Sequence, residues 1–377
     1  MSLHQAPAAE SVVRGGQQLA AMRPAIWFGL AALGIIGRLG LAWIGPANYD
    51  QQSYAIVADI LKHGGNVYAE TARYNYGPAW MYLLWGADWV ARAVDLPFAF
   101  IVRCGLTLAD ITVAVIIARV ALTIGCDGRR AALAYLLSPV SILLTGLHGQ
   151  FDDLAAVPLL IAVWLALRSK TPSRRWESWV LGTATLIMKQ IWAFSVWTLF
   201  VDRAPGRRAI SWIGLSALAF VATLVPFLPG ALVPIIDHVF LYGGLPGLYG
   251  MGLLPWYVGR PLFVVTMLAL PCLARRLSLV DRMELAGVAF IALAPGASQQ
   301  YLVIPIIFGS VRRRSYYWLF TAVATPFLLV ALLYANPLGY LPAPPLWWPF
   351  WLVGLAWFIR LLGEAGLFAS VGLARPQ

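Results

Sequence analysis

Apolar residues fall in twelve runs along the chain, at about 24–44, 98–124, 131–147, 153–168, 176–188, 191–201, 209–230, 258–274, 284–296, 301–310, 316–335 and 346–362, with polar residues collected between them. The runs have helical lengths and lack the ten-residue alternation of an outer-membrane strand. The pattern predicts an all-α, polytopic transmembrane protein of about 10–12 helices. Several runs are shorter than the roughly 20 residues that a full crossing needs. Such helices are tolerated where they tilt or stop at a polar cavity. No stretch is large enough for a separate soluble domain, and no internal repeat is visible. Residues 24–377 therefore read as a single transmembrane domain, residues 1–23 as a polar cytoplasmic tail without a signal-peptide core, and 45–97 as an outer loop with interfacial helices.

Composition strengthens this reading. The chain has 377 residues, of which 60% are hydrophobic and 11% charged, against about 25% charged in soluble domains. The formal net charge of +11 does not point to nucleic acid, because most basic residues sit in short clusters between apolar runs: Arg14 and Arg23, Arg129-Arg130, Arg168 to Arg175, Arg203 to Arg208, Arg275 to Arg282, Arg312 to Arg314, then Arg360 and Arg375. Such clusters orient membrane helices, so both termini are expected in the cytoplasm. The parity of crossings then forbids a span between Pro78 and Val94. That segment, with Asp88, Arg92 and several tryptophans, is expected to lie along the outer interface. The same topology places 45–97, 148–153, Lys189-Gln190, 231–257, 298–300 and 336–345 on one outer face. The three cysteines, Cys104, Cys126 and Cys272, are scattered and support neither a disulfide framework nor a metal site.

Polar residues at membrane depth are costly and mark functional or paired sites. Asp50 opens an amphipathic helix after the first run, where it can cap that helix and also serve chemistry. His148, Gln150, Asp152 and Asp153 belong to the turn "HGQFDD", directly before a long apolar run. Asp153 is expected to cap or favour that helix start, and Asp152 to hold His148 or bind a hydroxyl. Lys189 stands inside an otherwise apolar region and needs an anion or a partner carboxylate. Arg38, inside the first run, is expected to pair with Asp110. "SQQYL", with Gln300 and Tyr301, is another polar turn between short apolar helices.

The order of these pieces resembles the GT-C superfamily of integral membrane glycosyltransferases, in particular bacterial relatives of the polyprenyl-phosphate mannosyl- and glucosyltransferases. The pieces are an acid after the first helix, an aromatic loop with a "YGP" step, an "HGQFD" turn, a lysine in a broken helix, and a "QQYL" turn. The likeness covers about residues 24–310. Where many members of that superfamily carry paired acids in the first outer loop, this chain has Asp50 followed by Gln51 and Gln52. The resemblance implies a polyprenyl-phosphate sugar as donor, a glycan, glycolipid or protein as acceptor, and a site on the extracytoplasmic side of a bacterial inner membrane. It implies no cofactor, the lipid-linked sugar being a substrate, and the single acid in the first outer loop leaves open whether a divalent metal binds there. Inverting transfer needs a carboxylate to accept the acceptor's hydroxyl proton, a role that falls to Asp50. The departing phosphate needs cationic or hydrogen-bonding stabilisation, for which His148, Lys189, His238, Arg73 and Arg260 are candidates, with Gln150, Asp152, Gln300 and Tyr301 binding substrate. The competing readings are a polytopic transporter or lipid-linked sugar flippase, whose polar residues should lie at mid-membrane, and an inactive scaffold on the same fold.

The topology makes a direct prediction. In a cysteine-free background, a cysteine replacing Asp95 is labelled by an impermeant reagent from the outer side. Labelling from the cytoplasm alone would show that 78–94 crosses.

Overall fold

The computed structural model describes residues 24–169, 175–204, 206–242, 245–246, 249–335 and 346–367. The terminal segments with Arg14, Arg23 and Arg375, residues 170–174 of the basic stretch 168–175 and the expected outer turn 336–345 lie outside them.

The chain is built from helices. The first, α1 (Pro24–Ile44), is followed by three amphipathic pieces, α2 (Tyr49–Lys62), α3 (Val67–Glu70) and α4 (Pro78–Ala93). After these come α5 (Phe98–Thr123), α6 (Gly128–Leu136) and α7 (Pro139–Ile142), the last running into a π turn over Leu143–His148. The order continues with α8 (Asp152–Arg168), α9 (Arg175–Met188), α10 (Ala193–Arg203), α11 (Arg207–Leu224), α12 (Leu232–Ile235), α13 (Trp256–Leu273), α14 (Leu279–Leu293), α15 (Val303–Arg312), α16 (Ser315–Val330) and α17 (Trp348–Glu364). A two-residue antiparallel ladder, β1 (Leu245–Pro246) with β2 (Gly296–Ala297), ties the α12–α13 connection to the α14–α15 turn.

Among the described residues, five helices are long and apolar enough to cross a membrane: α1, α5, α11 with its 3₁₀ extension, α13 and α16 with its π extension. The pair α6 and α7, bent by 48° at Ser138-Pro139, makes a sixth if taken as one span. This is the composition of a polytopic helical membrane protein. Large apolar side chains face outward, among them Phe28, Leu33 and Ile36 on α1 and Leu108 and Leu122 on α5. In water such surface would be costly; against lipid it is the expected exterior. α4 is helical as expected, only 16 residues long, and carries an Arg92–Asp88 pair at 2.8 Å.

Side-chain bonds gather the helix ends into two poles. At the basic pole, Arg313 reaches the Asp127 carbonyl (3.3 Å), Arg203 the Ala166 carbonyl (3.3 Å) and Arg314 the Glu364 carboxylate (2.9 Å), and Arg282 pairs with Asp202. At the opposite pole, Arg103 holds the Gly45 and Pro46 carbonyls at 2.9 Å each. The polar turns before α2, α8, α10 and α15 meet there. The structure thus brings together the expected turns that it describes.

Between the poles lies the ion pair expected from the sequence. Arg38 Nε donates to Asp110 Oδ2 at 2.5 Å, with both side chains fully buried. The guanidinium also donates to the Leu136 carbonyl (2.6 Å) and the Ser141 hydroxyl (2.5 Å), and Tyr135 donates to Asp110 Oδ1 (2.6 Å). One network therefore joins α1, α5, α6 and α7. The backbones approach closely here: a Cβ on Gly146 would stand 2.8 Å from the Arg38 carbonyl oxygen. Small residues permit such approaches between membrane helices.

Gly146→Ala is expected to lower stability by about 1–3 kcal/mol, the cost of overpacking. Gly29→Ala on α1, with nothing within 4 Å of the added carbon, should stay within about 0.5 kcal/mol. Thermal unfolding of the two purified variants in detergent checks the contrast.

Candidate functional site

The HGQFDD turn is positioned from both sides. On its N-terminal side the π turn ends at His148, and Gly149 comes next with φ of 77°. That conformation suits glycine, and a Cβ there would fall 1.9 Å from Gln51 Nε2. On its C-terminal side Phe151 is fully buried, stacked on Trp80 at 4.2 Å between ring centroids and set edge-on to Tyr76 at 4.8 Å. The aromatic residues of 45–97 thus clamp the turn through its phenylalanine.

Asn48 supplies the cap of α2. Its Oδ1 accepts from the Gln51 amide (2.9 Å) and its Nδ2 donates to the His148 carbonyl (2.8 Å). The expectation that Asp50 caps this helix is corrected: Asn48 does so, which leaves the Asp50 carboxylate for other partners. Gln150 Nε2 donates to Asp50 Oδ2 at 2.6 Å, and His148 Nε2 stands 3.4 Å from the same oxygen. Asn48 also turns its NH₂ toward His148 Nδ1 at 3.4 Å. On the other side of the ring, the Gln299 amide nitrogen stands 3.1 Å from His148 Nε2.

Lys189 begins the break between α9 and α10. Its ammonium donates to Asp152 Oδ2 at 2.8 Å and to Gln150 Oε1 at 3.4 Å, and lies 4.2 Å from the Phe151 ring centroid. Asp152 therefore serves Lys189 rather than holding His148, a second correction; a buried ammonium needs a counter-charge more than a neutral imidazole does. Asp153 departs from its expected capping role as well. It is buried and accepts from the Thr145 hydroxyl at 3.1 Å, while Phe151 holds the cap position with no side-chain bond.

Gln150 is the hinge of the cluster, its two amide ends joining Asp50 to the Lys189–Asp152 pair. Tyr54 donates to Gln150 Oε1 at 3.3 Å. Burial first, then the Asp50 and Asp152 carboxylates, push the Tyr54 phenol well above its ordinary range, so it stays a donor. Burial, then Tyr54 and Asp50, push the Tyr76 phenol the same way. Asp50 keeps 28% of its side chain exposed, whereas His148 and Lys189 keep 0% and 2%. The accessible member of the cluster is the carboxylate.

A cavity of about 340 Å³ adjoins the cluster. Lys189, Gln190, Arg260 and Tyr301 line it together with Tyr76, Tyr242 and the apolar Phe194, Phe263 and Val264. Its edge includes Phe240 and Leu241, both strongly exposed, so it continues onto the apolar exterior. No carboxylate of the described residues lies within ion-pair distance of Arg260. Gln190 is turned aside to the Asn75 carbonyl at 2.8 Å.

Of the remaining expected residues, Arg73 is nearby but engaged with the first turn of α2, donating to the Ser53 hydroxyl (3.0 Å) and the Tyr49 carbonyl (2.8 Å). Gln300 is buried and bonded by the Ser298 hydroxyl. His238 is not brought in: it neither lines the cavity nor bonds the described members of the cluster. Asn48, Tyr54 and Gln299 are site members that the sequence reading passed over. Among the described residues no group of three or more His, Cys, Asp or Glu is arranged to hold a metal ion. No protein-family model, curated protein or solved structure matches the chain.

Removing one partner of the buried Lys189–Asp152 pair leaves an uncompensated charge, a loss of about 3–5 kcal/mol. Asp152→Ala is therefore expected to lower the thermal midpoint sharply. Adding Lys189→Met should restore most of it, and a double variant no more stable than Asp152→Ala would deny the pair its structural role.

Proposed function

We propose that the chain is a membrane glycosyltransferase of the GT-C kind, moving a sugar from a polyprenyl-phosphate donor to an acceptor hydroxyl with inversion. The observation that carries this reading is the cavity: a guanidinium, Arg260, with no carboxylate partner among the described residues, in an aromatic, apolar chamber that continues onto the apolar exterior and has the buried Lys189 ammonium on its wall, joined through Gln150 to the partly exposed Asp50. An uncompensated cation in such surroundings calls for an anion, and the apolar edge suits an anion carried on a long hydrocarbon.

The chemistry comes from the same groups. Asp50 takes the proton from the acceptor hydroxyl as its oxygen bonds to C1 of the sugar. The bond between C1 and the phosphate oxygen breaks, and the lipid phosphate leaves with the electron pair. Arg260 and Lys189 balance the negative charge that gathers on it. Gln150 holds Asp50 by donating to its Oδ2, with His148 Nε2 beside the same oxygen, which leaves the other oxygen for the substrate proton. Placement of the site on the extracytoplasmic side rests on the clustering of basic residues at the opposite pole.

The test is time-dependent release of polyprenyl phosphate from a radiolabelled polyprenyl-phosphate hexose by the purified protein. Asp50→Asn should bind the donor normally and slow transfer by about 10²–10⁴-fold, or roughly 3–5 kcal/mol of barrier. Arg260→Gln should weaken donor binding as well as slow transfer. An Asp50→Asn protein within threefold of the wild-type rate would remove Asp50 from this role. Flipping of the donor without bond cleavage would make the protein a flippase.

A further inference from the structure

A second cavity, of about 540 Å³, opens at the basic pole between α1, α6, α15 and α16. Three arginines line it, Arg130, Arg312 and Arg313, together with Trp27, Trp318 and Ser138 and without any carboxylate. The three charges are not equivalent. Arg312 is committed to Asp281, with Nε and Nη2 each 2.9 Å from a carboxylate oxygen. Arg130 pairs with the partly exposed Asp127, 3.1 Å from its Nε. Arg313 has no carboxylate of the described residues within ion-pair distance; its guanidinium donates to the Asp127 backbone carbonyl at 3.3 Å. That reach depends on an unusual backbone. Arg313 closes α15 in the left-handed region, with φ of 53°, which few residues with a side chain adopt.

The surroundings of the cavity are apolar and outward-facing. Trp318 on α16 and Phe28 on α1 are more than half exposed, and Leu319 on α16 nearly so. Tryptophans beside arginines at a helix end mark the level of lipid headgroups, and basic pockets between membrane helices accept phosphate-bearing headgroups. A guanidinium with open donors matches phosphate oxygens in a way that an ammonium does not. We infer that this cavity is a phosphate site occupied by the headgroup of an anionic membrane lipid, held by Arg313 and Arg130, with its acyl chains along Trp318 and Leu319. Free phosphate has the same headgroup chemistry, and the apolar rim favours the lipid.

The experiment is thermal unfolding of the detergent-purified full chain, titrated at fixed ionic strength with short-chain phosphatidylglycerol, short-chain phosphatidylcholine or inorganic phosphate. Phosphatidylglycerol should raise the midpoint saturably while the other two do not. Arg130→Gln with Arg313→Gln should weaken its apparent affinity at least tenfold. Arg207→Gln with Arg208→Gln, exposed at the same pole but away from the cavity, should leave it unchanged. If the first pair does not fold, Arg313→Gln alone carries the comparison. Equal stabilisation by phosphatidylcholine, or undiminished phosphatidylglycerol binding in the Arg313 variant, overturns the site. A full shift with inorganic phosphate alone overturns the lipid as its source.

Discussion

A full charge inside a bundle of apolar helices must meet its counter-charge before the helices can close, and Arg38 with Asp110 is where this chain meets that constraint. The pair is fully buried, and its spare donors and acceptors are taken by Leu136, Ser141 and Tyr135. Such a pair is weak evidence for stability, because desolvation offsets most of the attraction. Its value here is register. Only one rotation and one depth of α1 against α5, α6 and α7 satisfies all these groups at once. That setting places the Arg38 backbone against Gly146, within the π turn that leads to His148.

The candidate site repeats the principle with a different outcome. Lys189 and Asp152 pair with each other in the interior, but the Asp50 carboxylate takes its hydrogen bond from a neutral amide, that of Gln150. The cluster is therefore asymmetric, with its cation paired at the cavity wall and its carboxylate partly open. A hydrogen bond from a neutral donor fixes the orientation of a carboxylate without the full counter-charge that would occupy both its oxygens. Arg260 lies in the adjoining cavity, so the unbalanced positive charge and the accessible negative charge are held in separate places.

The helices were legible because apolar runs and breaking turns leave a periodic record in the sequence, and the broken segment around Lys189 was anticipated for the same reason. The Arg38–Asp110 pair was legible because a buried arginine requires an acid and few are available at that depth. The roles of Asp50, Asp152 and Asp153 were not, because each depends on which neighbour arrives in three dimensions. Asn48 precedes its helix in an ordinary capping position, a signal that was present but overshadowed by the charged residue two places on. Gln299 and Gln300 are adjacent in one 3₁₀ turn, and one meets His148 while the other meets Ser298; no spacing rule distinguishes them. His238 was grouped by side alone, and sharing a pole does not bring a residue into a cluster.

The π turn over Leu143–His148 has a consequence for how such a site can change over generations. A helix advances about 100° per residue, and a π turn accommodates one extra residue within its ring. Because the extra residue is taken up inside the turn, excising one residue from Leu143–His148 would restore α-helical winding and leave the HGQFDD turn facing Asp50 and Lys189. A deletion within α8 or α9, which contain no such slack, would instead swing everything beyond it by about 100°. The π turn is thus the part of this approach to the cluster where the chain can lose a residue and keep its side chains on the same face.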